Sequence, residues 1–198
     1  LSPALPTDIV MVVRTYPIRV AGNSGPMPNE ITWPWLAKEI NTKRRAAGMP
    51  ALVDEEHIDN FERAVREAAT KFDKPKYSDG TDQNLWSAIE RETYKEALSE
   101  INAEAIKLLH PDVVKELTKI FELTTVTKKL RRIANISWLQ LAKATKLVRP
   151  HRIALTFMNY EFPEYWNSSP ENALWDDAKV QAYIRRVSDQ CYGTPIRM

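Results

Sequence analysis

The stretch TTVTKKLRR, residues 124–132, sets hydroxyl side chains directly before a group of lysines and arginines. Hydroxyl groups donate hydrogen bonds, and an arginine can make two parallel charge-assisted hydrogen bonds to one carboxylate or phosphate. The pattern therefore predicts an anion-binding turn between two strands. A turn whose basic side chains are simply solvated is an equally good interpretation of the same residues.

A second candidate site lies at the end of the apolar stretch RIALTFMNY, residues 152–160. In open α/β sheets, ligands collect beyond the carboxyl ends of the strands. Asn159 would offer both a donor and an acceptor there, which suits the edge of a nucleobase. An ordinary turn asparagine is the commoner case, so both interpretations stand.

The third candidate is RTYPIRVAGNSGP, residues 14–26, where a strand passes into a loop of small residues. Gly22 and Gly25 allow a ligand to approach the backbone closely or the chain to adopt positive φ. Arg19 can clamp an oxygen atom at the end of the strand. The loop has neither the G-x-G-x-x-G pattern nor a phosphate-loop lysine, so by itself it is a weak indication of ligand binding.

Composition narrows the class of protein. A chain of 198 residues with 43% hydrophobic and 27% charged residues is typical of a soluble globular domain. No apolar run approaches the ~20 residues of a membrane helix, and the start LSPALPTD lacks the regions of a signal peptide, which predicts a cytoplasmic protein. With Cys191 as the only cysteine and three scattered histidines, a disulfide is excluded and a Cys/His metal site is disfavoured.

The net charge is only +2, but the charged residues are unevenly distributed along the sequence. Residues 124–152 contain eight basic residues and no acidic one. Such a block is typical of a solvated face or a nucleic-acid patch. Single-strand binders interleave basic residues with exposed aromatic rings, whereas Trp138 is predicted on the apolar side of its helix. A nucleic-acid-binding module is thus one alternative function. A helical interaction module is another, although its helices do not sustain heptads.

Periodicity predicts the elements that carry these candidates. Residues 8–15 are apolar and β-branched, which predicts a buried strand followed by a loop. Apolar residues at helical spacing predict helices over 35–47, from the N-cap Asp54 to residue 72, over 85–108 and over 113–121. Two strand pieces are predicted around the basic turn.

The remaining third of the chain alternates helix and strand. Ser137 is predicted to cap a helix over 138–147, a strand follows in 152–160, and a last helix covers 175–190. The order β, helices, β-turn-β, α, β, α predicts an α/β protein with a helical segment at about 34–121 inserted after the first loop.

Taken in order, the three candidates resemble the C-terminal half of the adenylosuccinate synthetase family, especially its compact archaeal branch and bacteriophage relatives. The matching text is VVRTYPIRVAGNSGP, ELTTVTKKLRRIA, RPHRIALTFMNY and a final helix leading into YGTPIRM. The resemblance implies a single α/β domain fragment. This would be the C-terminal part of an adenylosuccinate-synthetase-like mixed sheet with flanking helices and an inserted helical segment.

The resemblance also implies a ligase of purine biosynthesis. A nucleoside triphosphate phosphorylates the 6-oxygen of a purine monophosphate, and the amine of L-aspartate displaces that phosphate. The acceptor and donor are IMP and GTP in the ordinary enzyme, and dGMP and ATP in the phage relatives. A homodimer is also expected.

The family's phosphate loop, its catalytic aspartate and histidine and its Mg²⁺ site belong to an N-terminal half that this sequence does not contain. We therefore expect the Mg²⁺ ligands to lie outside this chain. We expect no catalytic residue in the chain and no activity from it alone.

The family's binding residues carry over to three places. Arg19 and Val20 match the strand-end pair that contacts the nucleotide sugar. Phe157, Met158 and Asn159 match the strand that recognises the base of the triphosphate. The loop that closes over aspartate matches a continuous run, in which Lys129 also meets the purine monophosphate and Arg131 the triphosphate: Thr125, Val126, Thr127, Lys128, Lys129, Leu130 and Arg131.

Two departures from the family pattern concern specificity. Lys129 stands where many members have an arginine that touches both aspartate and the ribose 2'-hydroxyl, and a lysine cannot make that forked contact. Asn159 stands where the common pattern has the aspartate that accepts two hydrogen bonds from guanine. Both departures fit the phage reaction with dGMP and ATP, and IMP with GTP remains the alternative.

Overall fold

A computed structural model of the chain describes residues 8–19, 27–71, 98–124, 130–166 and 177–197. The fold is α/β, as predicted from the order of elements. Within those residues there are six strands: β1 Val10–Arg14, β2 Ile18–Arg19, β3 Glu30–Ile31, β4 Arg132–Ala134, β5 Arg152–Thr156 and β6 Ile196–Arg197.

The same residues form seven α-helices. They are α1 Trp33–Ala46, α2 Glu55–Lys71, α3 Leu98–Leu108, α4 Pro111–Leu117, α5 Trp138–Val148, α6 Met158–Glu161 and α7 Ala178–Gln190. None of the helices in the described part is long and apolar enough to cross a membrane. The chain divides into two compact units: a terminal unit of Leu1–Pro17 with Asn135–Met198, and a central unit of Ile18–Ala134.

The terminal unit contains a parallel sheet in the order β1-β5-β6. Val10 to Arg14 pair in register with Arg152 to Thr156, so both predicted strands are present. However, β5 ends at Thr156 instead of continuing to Tyr160, because Phe157 turns the chain into α6. Strand β1 was predicted to be buried, but Val10 and Val12 are exposed. Alternate residues of β5 point inward, so Ile153 and Leu155 are buried among side chains from the flanking helices. That core comprises Leu141, Ile153, Leu155, Met158, Phe162, Val180, Val187 and Cys191.

Two helices of the terminal unit begin at capping side chains. Ser137 caps α5 as predicted, since its hydroxyl accepts a hydrogen bond from the backbone N–H of Gln140 at 3.4 Å. Asp177 caps α7, so the described helix begins at Ala178. The first two residues of the predicted helix over 175–190 lie outside the described residues.

The central unit packs helices beside a small antiparallel sheet in the order β2-β4-β3. Helix α2 begins after Asp54 as predicted, because the Asp54 carboxylate accepts from the N–H of Glu56 at 3.0 Å. The predicted apolar face of α2 is buried at Ile58, Phe61, Val65 and Ala68, whereas Phe72 lies outside the described residues. The largest buried side chains here include Trp33, Leu36, Ile40, Phe61, Ile101 and Leu117.

Three local expectations were wrong in detail. Helix α1 begins at Trp33, two residues before the predicted start, because Thr32 supplies the cap. Pro111 opens α4 after the cap His110, and this helix ends at Leu117 instead of continuing to Phe121. The loop expected after β1 contains β2 and β3, whose hydrogen-bond partners come from β4, more than a hundred residues later in the chain.

Candidate functional site

In the central unit, the residue before the Gly-rich stretch 20–26 pairs with a residue that follows the basic turn. Arg19, the last residue of β2, pairs with Arg132, the first residue of β4. The Gly-rich segment follows Arg19, and the basic turn ends immediately before β4. Val20 and residues 125–129 lie outside the described residues. The pairing therefore locates Arg19, which precedes the Gly-rich stretch, and Arg132, which follows the turn.

The arms of the basic turn meet at a single bridge, and in the described residues only the second arm continues into a strand, β4, where two strand pieces were predicted. Leu123 and Leu130 form an antiparallel bridge, and the N–H of Arg131 donates to the carbonyl of Glu122 at 2.9 Å. The indole Nε1 of Trp33 donates to the carbonyl of Arg131 at 2.6 Å. Since Trp33 is 1% exposed, a buried side chain holds the exit of the turn.

Arg132 is neutralised inside the central unit. Its Nε donates to Oε1 of Glu30 at 2.8 Å, and its Nη2 donates to Oε2 at 2.6 Å. The two side chains are 2% and 3% exposed. Arg132 is therefore a structural cation, whereas the Arg131 side chain is half-buried and that of Arg19 is exposed.

The second candidate place lies beyond the carboxyl ends of β1 and β5 in the terminal unit. Arg14 and Thr156 end the two strands opposite each other. The next residue, Phe157, has φ 60°, a conformation that is costly for a bulky side chain. The hydroxyl of Thr15 donates to the carbonyl of Phe157 at 2.6 Å, which helps to hold this bend.

The three residues predicted to read a nucleobase occupy different environments. Phe157 is 41% exposed, whereas the Met158 side chain is 7% exposed and belongs to the core of the terminal unit. Asn159 lies within α6, not in a plain turn, and is half-buried. Of the three side chains, Phe157 and Asn159 are the ones accessible to a ligand.

An arginine-aromatic cluster surrounds Phe157. The Arg14 guanidinium lies 3.4 Å from the ring centroid of Phe157, a cation–π contact. Tyr160 stacks with Phe157 at 5.9 Å, and Tyr16 and Trp166 meet Tyr160 edge to face. Sequence reasoning missed Arg14, although its place at the carboxyl end of the neighbouring parallel strand could have identified it.

In the described part of the chain, the cations of residues 124–152 include both paired and exposed side chains. Arg132 is buried against Glu30 in the central unit, and Arg152 is paired with Asp8 in the terminal unit. Lys143 and Lys146 are exposed on α5, followed by the exposed Arg149. The nucleic-acid interpretation needs clustered exposed cations, and the two paired arginines do not contribute to such a cluster.

A separate cleft lies at the ends of α5 and α7 in the terminal unit, and none of the predicted site residues lines it. Its walls are Thr145, Lys146, Arg149, Pro150, Cys191, Tyr192 and Thr194. Burial raises the pKa of the Cys191 thiol, which keeps it protonated and argues against a nucleophilic role. Within the described ranges, no cluster of three or more His, Cys, Asp or Glu side chains could hold a metal ion.

The chain is similar over part of its length to a known protein. No family model matches the chain. A segment of 51 residues is 43% identical to N6-succino-2-amino-2'-deoxyadenylate synthase of Vibrio phage phiVC8, covering 26% of this chain. The matched segment spans 15% of the length of that synthase. The match supports a distant, partial relationship to adenylosuccinate-synthetase-like enzymes.

Proposed function

We propose that this chain forms the aspartate- and nucleotide-binding part of a purine-nucleotide ligase. The observation that carries the proposal is the 43% identity over 51 residues to a phage synthase whose name describes a succino-aminodeoxyadenylate product. The pairing of Arg19 with Arg132 supports it, because Arg19 precedes the stretch expected to hold the sugar and Arg132 follows the turn expected to hold aspartate.

In the proposed reaction, the γ-phosphoryl group of a nucleoside triphosphate is transferred to the 6-oxygen of the purine monophosphate. The amine of L-aspartate then attacks C6, loses a proton and expels inorganic phosphate, which leaves a nucleoside diphosphate and the succino-nucleotide. Holding the two reactants together lowers the barrier, because it removes the entropy cost of a bimolecular encounter. The role of this chain is to bind and orient.

The basic turn is proposed to bind aspartate. Thr127 would supply a hydroxyl and Arg131 a guanidinium fork to its carboxylates, because that combination matches two oxygen acceptors. Arg19 and Val20 would contact the sugar of the purine monophosphate from the start of the Gly-rich segment. Lys129 would meet both ligands.

We further propose dGMP as the acceptor and ATP as the donor. Lys129 cannot make the forked contact that many family members make to a ribose 2'-hydroxyl. The Asn159 amide both donates and accepts hydrogen bonds, which suits the edge of adenine. A carboxylate only accepts hydrogen bonds, which suits guanine. Mg²⁺ would accompany the triphosphate through ligands outside this chain, and cytoplasmic location and a homodimer remain part of the proposal.

The test uses the complete reading frame that contains this sequence. Phosphate release is measured with L-aspartate and Mg²⁺ for each combination of IMP or dGMP with GTP or ATP. Turnover with dGMP and ATP, dependent on aspartate, is the expected result. Turnover confined to IMP and GTP would assign the ordinary adenylosuccinate reaction, and no aspartate-dependent release in any combination would refute the ligase.

A further inference from the structure

The cleft at the ends of α5 and α7 has the size and the chemistry of a small-molecule site. Its volume is about 440 Å³, which falls within the range of roughly 300–1,000 Å³ that is usual for ligand pockets. Its described lining combines two cations, Lys146 and Arg149, with the ring of Tyr192 and contains no carboxylate. An anion would therefore meet attractive side chains and no like charge on these walls.

Two residues that line the cleft adopt a backbone conformation that usually belongs to glycine. Arg149 ends α5 with φ 50°, and Tyr192 follows Cys191, the C-cap of α7, with φ 56°. Helices often end in this left-handed conformation, but the residue there is most often Gly, because a Cβ atom is strained in it. Both positions therefore carry a side chain that destabilises the local backbone. Strain of this kind is concentrated at binding and catalytic sites.

The side chains at these two positions suit the two parts of a phosphorylated aromatic ligand. The Arg149 guanidinium can donate two parallel hydrogen bonds to a phosphate, and Lys146, about one turn earlier in α5, supplies a second cation. Tyr192 is 68% exposed, so its ring is accessible for stacking against a base. The buried Pro150 adds an apolar wall to the same cleft.

We propose that this cleft binds a nucleoside monophosphate, with Lys146 and Arg149 at its phosphate and Tyr192 against its base. The cleft adjoins the amino end of β5, whereas Phe157 and Asn159 follow the carboxyl end of that strand. It is therefore distinct from the nucleobase site of the proposed function and does not depend on that function. The structural alternative is that the two cations only offset the partial negative charge at the carboxyl ends of the helices.

Calorimetric titration of the complete reading frame with AMP measures the binding, and hydrogen exchange locates it. With AMP present, the backbone amides of residues 146–149 and 191–194 should exchange more slowly. Adenosine and inorganic phosphate, each titrated alone, should bind at least about 10-fold more weakly than AMP, because each forms only the stacking or only the charge-assisted contacts. Neither measurement requires the protein to release phosphate from a nucleotide, so the result can be read even if the proposed ligase reaction is absent.

Glycine substitutions separate binding from stability. Arg149→Gly should weaken the binding of AMP by about 10- to 100-fold, the usual effect of losing a hydrogen bond to a charged group. Tyr192→Gly should weaken it by about 10-fold through loss of stacking and leave the affinity for inorganic phosphate unchanged. Both variants should unfold at the wild-type temperature or above it, because glycine adopts positive φ without strain. In the structural alternative, neither substitution would change the binding of AMP.

Lys143→Ala is the matched control, because it removes an exposed lysine of α5 that is not part of the cleft lining. Its affinity for AMP should equal that of the wild-type protein. Unchanged exchange at the cleft amides, wild-type affinity for AMP in both glycine variants, or an equal loss in Lys143→Ala would overturn the proposal. An affinity for inorganic phosphate as high as that for AMP would overturn the assignment of a nucleoside ligand.

Discussion

Arg131 combines a fixed backbone with a half-buried side chain, which suits binding of a carboxylate. Its N–H and carbonyl are held by Glu122 and Trp33, so truncation of its side chain should leave the fold intact. We expect Arg131→Ala to lower kcat/KM for aspartate by an amount equivalent to about 2–5 kcal/mol, the usual effect of truncating one partner of a charge pair that the bound ligand buries. Steady-state kinetics with varied aspartate measure this effect.

A matched control for that prediction is Arg66→Ala, which removes an arginine from the exposed side of α2. Its kinetics with aspartate should equal those of the wild type. If Arg131→Ala also retained wild-type aspartate kinetics, the aspartate would have to bind elsewhere.

Asn159 is the residue that should decide which donor base is accepted. A carboxylate accepts hydrogen bonds from N1 and N2 of guanine, whereas an amide also donates. We expect Asn159→Asp to move the ratio of kcat/KM values from ATP towards GTP. Asn135→Asp makes the same change elsewhere in the terminal unit and should leave the ratio alone. An unaltered ratio in Asn159→Asp would mean that the base is recognised by other residues.

At the scale of elements, one hydrogen bond joins the turn after α6 to the cap of α7. The hydroxyl of Tyr165 donates to Oδ2 of Asp177 at 2.7 Å, while Oδ1 accepts from the N–H of Lys179. The bond to Asp177 raises the pKa of Tyr165 from 10 to about 12 and lowers the pKa of Asp177. This charge-assisted hydrogen bond therefore stabilises the neutral form of Tyr165 and the ionised form of Asp177.

Tyr165→Phe should show a stability loss that depends on pH. Because the folded-state pKa is raised, the contribution of Tyr165 is fully present below pH 10 and is lost as the pH rises towards 12. We expect a deficit of about 1 kcal/mol at neutral pH for this partly exposed hydrogen bond. Urea unfolding across that range measures it, and a deficit that stayed constant up to pH 12 would contradict the assignment.

The elements that the sequence predicts well are those determined by local signals. Periodicity identified β1, β5, α2 and α5, and capping side chains located the starts of the two helices at Asp54 and Ser137. Strands β2 and β3 were missed because two-residue strands have no periodicity and depend on a distant partner. The contacts of Glu30 with Arg132 and of Trp33 with Arg131 could not be predicted for the same reason, since each joins residues about a hundred positions apart.

At the scale of the whole molecule, the central unit begins and ends on paired strands. Its first residue, Ile18, pairs with Ile133, the residue before its last, so the two ends of the unit lie close together, as in an inserted domain. We expect a terminal unit in which Ile18–Ala134 is replaced by about four Gly and Ser residues to fold alone. Circular dichroism should record a cooperative thermal transition.

A destabilised version of that shortened protein gives the control. Ile153→Ala removes a fully buried side chain from β5 and should cost about 2–5 kcal/mol, lowering the transition temperature. If the shortened protein had no cooperative transition, the terminal unit would depend on the central unit for its structure.

The distance in sequence between β1 and β5 has a consequence for synthesis. The contact of Thr15 with Phe157 spans 142 residues, so β1 leaves the ribosome long before its partner exists. At about 5–20 residues per second, the wait is on the order of ten seconds. During that time the central unit can complete its own contacts, while the valine-rich β1 is an unpaired strand open to association with other nascent chains.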